Sequence, residues 1–183
     1  MNGKRQGIIL AVAVSGLFAH CAGAESLVEQ HLATIQRLHL EVLVPRYEPL
    51  PGSSPERLEE SLKERAAQIL EHHDIRSVES SQQELVLEVQ LARSASDDRM
   101  VALLVILELQ EAAVLTREWA PGSSHDPLIV TSWREVLLGV TSSDDVVNQV
   151  YELVDIGTTH FAEEVKQARA GGQEGRAARD AAP

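Results

Sequence analysis

The chain has 183 residues, 44% of them hydrophobic, 24% charged and 3% aromatic, with a formal net charge of -12. That length allows one domain, large enough to bury about two-thirds of the surface its unfolded chain exposes. The acidic balance excludes a general affinity for nucleic acid or anionic lipid, which need clustered Lys and Arg, and so few aromatic residues leave no stacking platform for bases.

The first 24 residues read as a targeting segment. Lys4-Arg5 precedes an apolar run from Gly7 to Ala19, and Ala22-Gly23-Ala24 supplies the small-x-small pattern that a signal peptidase cleaves. The run is shorter than the roughly 20 residues that span a bilayer, so cleavage after Ala24 is expected rather than an anchor, with no transmembrane helix in the mature chain. Cys21 raises the alternative of lipid attachment, but His20 stands where such a site wants a small residue. The expected location is therefore exported and periplasmic. Loss of Lys4 and Arg5 takes the net charge to -14, and loss of Cys21 leaves no thiol for a disulfide, a nucleophile or a metal.

A short helix is expected around Ser26 to Thr34. Arg37 to Val44 begins with apolar and polar residues in alternation, the period of a half-buried strand. Ser54 before Pro55 is a helix start, a hydroxyl cap followed by proline at the first helical position. Leu58, Leu62, Ala66, Ile69 and Leu70 recur at helical spacing behind it, and the helix should end near His72-His73-Asp74. An extended piece follows at Ile75 to Val78. Glu84 to Leu91 alternates, with Leu85, Leu87, Val89 and Leu91 on one side, and the polar stretch 92–99 connects it to an antiparallel neighbour. Met100 to Leu107 is apolar at nearly every position, which predicts a central strand buried on both faces. Alternation returns from Glu108 to Arg117, pointing to a strand that outgrows its cover or bends at a bulge.

Residues 121–127 form a long turn, and the Pro-Gly-Ser-Ser tetrad there repeats residues 51–54 as turn chemistry. Leu128 to Val140 is the last strand, and Arg134 and Glu135 put one charge on each of its parities, so its inward face stays open. Ser142-Ser143-Asp144-Asp145 caps a closing helix whose stripe is Val146, Val150, Leu153, Val154, Gly157, Phe161 and Val165. The expected organisation is a signal peptide over 1–24, one α/β domain over 25–166 and a disordered tail over 167–183. Its fold class is a two-layer α+β sandwich, a mostly antiparallel sheet of about four strands with two main helices on one face.

This layout resembles a group of small exported bacterial α/β proteins with no assigned function. The residues that carry the likeness are Leu109-Gln110, Leu115 and Arg117, then Thr131-Ser132-Trp133 with Gly139, then Leu153-Val154-Asp155. The likeness spans about 37–165, and its motifs are structural rather than catalytic. Gly157 stands where an aromatic residue is usual in that group, and the C-terminal tail departs from it. The order of elements is also similar to envelope lipoproteins and periplasmic domains that act in assembly complexes, which implies a protein partner in the envelope but rests on architecture alone.

Few residues combine into a reactive constellation. His72 and His73 are adjacent on a helix and point about 100° apart, so they suit a helix C-terminus better than a metal. His125-Asp126 has the pairing that orients an imidazole for ligation or proton transfer, although a turn before Pro127 explains both. His160 and Glu164 stand four apart, the spacing of a helix-surface pair. His125, Asp126 and His160 are thus the residues to consider for a metal, and their spacing does not assemble one. Ser53, Ser54, Ser123 and Ser124 belong to turns and form no nucleophile elbow. Gly171-Gly172-Gln173-Glu174-Gly175 follows no strand and makes no phosphate loop. The acids from Glu56 to Glu64 read as a solvated helix face. No catalytic residue, metal or cofactor is assigned.

Trp133 beside Arg134, and Trp119 at the edge of a turn, are the residues that could anchor a partner, with core packing the commoner fate of a tryptophan. The expected function is a non-catalytic envelope binding or assembly module. The alternatives are a small periplasmic hydrolase built on His125-Asp126 and a carrier of a small apolar ligand.

Overall fold

Strand alternation becomes strand structure in a computed structural model of the chain, which describes residues 9–10, 24–46, 54–94, 97, 99–113 and 128–180. The elements in order are β1 (Ile9–Leu10), α1 (Ala24–Leu32), β2 (Arg37–Leu43), α2 (Pro55–His72), β3 (Arg76–Val78), β4 (Gln83–Arg93), β5 (Met100–Ala113), β6 (Leu128–Ser142) and α3 (Val146–Asp180). They form one sheet in the order β1-β6-β5-β4-β2-β3, with the helices packed on one face. The α+β sandwich is as expected, but the strand count is not. Five strands make up the body of the sheet instead of four, because the extended piece Arg76–Val78 pairs with β2 in parallel. The two-residue β1 adds a sixth strand at the far edge, pairing Ile9 with Gly139 and Leu10 with Leu138.

The sheet is mixed for a chain-length reason. β2, α2 and β3 form a βαβ unit, since strands joined through an 18-residue helix can lie parallel side by side. β4 then settles on the other edge of β2, also parallel, while β4, β5 and β6 are antiparallel neighbours.

Local chemistry explains the ends of α2. The Ser54 hydroxyl accepts a hydrogen bond from the Arg57 N–H at 3.3 Å, and Pro55 needs no donor partner at the first position. At the other end Asp74 turns back with φ 60°, a left-handed conformation that aspartate tolerates, and the Ile75 N–H closes on the Leu70 carbonyl at 2.9 Å. Ser54→Ala should lower the unfolding free energy by about 1 kcal/mol, read from urea denaturation curves with unchanged slope.

Between the layers lie Leu38, Leu40, Leu85, Leu87, Leu103 and Leu107 from the sheet, with Leu58, Leu62 and Leu70 of α2 and Leu153, Val154 and Phe161 of α3. The predicted stripe of α3 is buried at every position from Val146 to Val165. α2 and α3 meet along a polar seam: Arg65 clasps Asp155 through two hydrogen bonds of 2.5 and 2.6 Å and lies over the Tyr151 ring, whose hydroxyl donates to Ser61 at 2.8 Å.

Two expectations need correcting. β5 is not buried throughout: its inward residues Val101, Leu103, Val105, Leu107 and Leu109 are buried and so is Ile106 on the other face, but Ala102 and Leu104 beside it are only half covered. The helical backbone of α3 also continues through Asp180, into the stretch read as a disordered tail.

Candidate functional site

β6 decides which residues face the helices. Its pairing with β5 shifts register between Leu109 and Gln110, where Ser132 is the extra residue and its hydroxyl donates to the Leu109 carbonyl at 3.4 Å. Beyond this bulge Trp133, Glu135, Leu137, Gly139 and Thr141 turn inward, and Arg134, Val136, Leu138 and Val140 turn outward. The parity that the sequence left open is thereby resolved, with the charged residue Glu135 on the buried side.

Four side chains link in series between β6 and α3. Glu135 is 6% exposed, and its Oε1 lies 3.0 Å from Nδ1 of His160. The other ring nitrogen of His160, Nε2, is 3.4 Å from Oε1 of Glu164. Oε2 of Glu164 accepts the indole N–H of Trp133 at 2.6 Å, and the Trp133 ring stands edge-on to Phe161 with centroids 4.9 Å apart. The second carboxylate oxygen of Glu135 is buried without a hydrogen-bond partner among the described residues. Burial pushes the Glu135 carboxyl above its ordinary range, and the neighbouring His160 offsets this only in part. Burial also disfavours the charged form of His160, but the hydrogen bond and charge of Glu135, with Glu164 and Glu163 behind it, outweigh that and raise its pKa.

A carboxylate–imidazole pair is the arrangement that orients a general base, yet such a base needs one nitrogen free to meet a substrate. Here both ring nitrogens face carboxylates, Nδ1 in a hydrogen bond with Glu135 and Nε2 in a longer, partly exposed ion-pair contact with Glu164. The pairing of His160 with Glu164 was legible from their spacing. Glu135 and Trp133 were not, because their inward orientation depends on the bulge at Ser132. The available signal was Glu135 sharing a parity with Trp133, Leu137 and Gly139.

The other candidates fall elsewhere. Trp119, His125 and Asp126 lie outside the described residues. Trp133 is 9% exposed and part of the core. Arg134 points to the open face, where its Nε meets Oε1 of Glu108 at 3.1 Å. His72 and His73 sit edge to edge at the end of α2, and among the described residues no group of three or more His, Cys, Asp or Glu is arranged to hold a metal. No helix among them is long and apolar enough to cross a membrane.

Apolar surface on β6 is a second feature. Leu138 and Val140 are exposed on the uncovered face of the sheet. At the start of the strand Leu128, Ile129 and Val130 pair with Ala113, Ala112 and Glu111 past the bulge, and all three are exposed, Ile129 to 74%.

No family model and no curated protein matches the chain. Among solved structures it is similar to a PelC dodecamer from Paraburkholderia phytofirmans, with 12% identity, a TM-score of 0.39, and coverage of 73% of this chain and 87% of that one.

Proposed function

We propose that this chain is a non-catalytic binding or assembly module of the bacterial envelope, exported to the periplasm through its leader. The observation that carries the reading is the run Leu128-Ile129-Val130, three consecutive exposed apolar residues where β6 enters the sheet. Single exposed apolar side chains are ordinary, but a contiguous group on a strand is the kind of surface that a protein partner covers. Leu138 and Val140 extend it along the same strand. Removal of the leader would take β1 with it and leave β6 as a free sheet edge, a template for pairing with a partner strand. The occupation of both His160 nitrogens favours a binding role over acid–base catalysis.

A photo-crosslinking residue at Ile129 of the full chain, produced in bacterial cells, tests this. One dominant envelope protein should be captured there and not from Glu60, an exposed position on α2. Free, monomeric protein in the periplasmic fraction with no adduct would overturn the proposal.

A further inference from the structure

A neutral imidazole has one N–H and one lone pair, so it can donate only one hydrogen bond. His160 presents both ring nitrogens to carboxylate oxygens, Nδ1 to Glu135 of β6 and Nε2 to Glu164 of its own helix. Only the imidazolium satisfies both. In the neutral ring one lone pair faces a carboxylate across the gap, and one of the two contacts turns repulsive. We infer that the Glu135–His160–Glu164–Trp133 series of contacts is a proton-dependent latch: with His160 protonated it holds α3 against β6, and loss of that proton loosens the seam around Trp133.

The latch stands on geometry that reaches both elements. Glu135 and Trp133 belong to the strand and are two residues apart, on one parity. His160 and Glu164 belong to the helix and are one turn apart, so four residues give two strand-to-helix ties. The charged groups that act on the imidazole are Glu135 from β6 and Glu163 and Glu164 from α3, all of them acidic. Glu135 is the element that makes the change costly. Its Oε2 already lacks a partner, and once His160 is neutral the carboxylate has no compensating charge inside the seam.

The sign follows from the two groups. His160 is held above the ordinary imidazole value near 6.5, so its contribution is complete below that value and is lost as pH climbs through the raised one. Glu135, also raised, titrates in a lower window that begins at its ordinary value near 4.5, and the latch needs it ionised opposite the imidazolium. The seam is therefore tightest where Glu135 is charged and His160 still protonated, and it loosens as pH climbs above 6.5 through the raised value of His160. The effect requires no partner and is independent of the binding role proposed above.

The full chain with Trp119→Phe leaves Trp133 as its one indole. Its emission should shift with a single midpoint above 6.5 that coincides with the titration of His160 followed by NMR. Above that midpoint the amides of Trp133 to Leu137 should exchange at least tenfold faster, after correction for intrinsic base catalysis. His160→Gln, which keeps a donor but cannot titrate, should abolish the transition, and Glu135→Gln should move it to lower pH. Trp133 emission that stays flat while His160 titrates, or a transition that survives in His160→Gln, would overturn the latch.

Discussion

Gly157→Val should lower the unfolding free energy by about 1–3 kcal/mol, the usual cost of overpacking a filled core. A Cβ at this position would meet Cδ1 of Leu107 at 2.5 Å and Cδ1 of Leu137 at 3.0 Å. Both leucines are themselves buried, so neither can move aside without disturbing the sheet beneath it. Removing a helical glycine normally gains up to about 1 kcal/mol relative to alanine, which makes the expected loss informative. Gly171, on the same helix, supplies the contrast: nothing lies within 4 Å of its missing side chain, and Gly171→Ala should be neutral or stabilising. Opposite signs for the two substitutions in urea titrations would show that close approach of α3 to β5 and β6, rather than helix propensity, selects glycine at 157. At this separation of helix and sheet an aromatic ring has no space.

Phe161→Ala should cost more, about 3–5 kcal/mol. Phe161 is fully buried one turn from Gly157, and it carries the edge-on contact with Trp133. Such a loss is a large part of the 5–15 kcal/mol that holds a typical domain together. The accompanying signature is specific: Trp133 emission should move to the red as its ring loses the neighbour that shields it. A variant with unchanged emission and a loss below 1 kcal/mol would mean that the α3–β6 seam carries far less of the core than its burial implies.

Where local pattern and tertiary environment agree, the elements were legible. β2 alternates in sequence and in burial, and the stripe of α3 was identified residue by residue because its apolar positions repeat at helical spacing. β6 was legible as a strand but not as a surface. Each parity carries one charge, and the bulge at Ser132 fixes which one turns inward. The partner of the buried Glu135 is His160, 25 residues away, and no local pattern encodes that contact. The fifth strand was visible as an extended piece, but its parallel pairing with β2 depends on how α2 returns the chain. The far end of α3 is the converse case. The absence of large hydrophobic residues and the glycines at 171, 172 and 175 read as a tail, yet the helical backbone runs on to Asp180.

Arg169 gives the last helix a further consequence, for the order in which the molecule can close. Its guanidinium donates to the carbonyl of Ile35, 134 residues earlier, and to that of Asp74 at 3.3 Å, 95 residues earlier. One side chain near the end of the chain thus secures both the turn that enters β2 and the turn that leaves α2. Contacts this distant in sequence are the slowest to form, because a long loop must be ordered before they contribute anything. Both turns have local backbone hydrogen bonds, and they gain this added tie only once the closing helix is in place. A chain emerging N-terminus first, from a ribosome or through a membrane, therefore lacks the tie until α3 has followed.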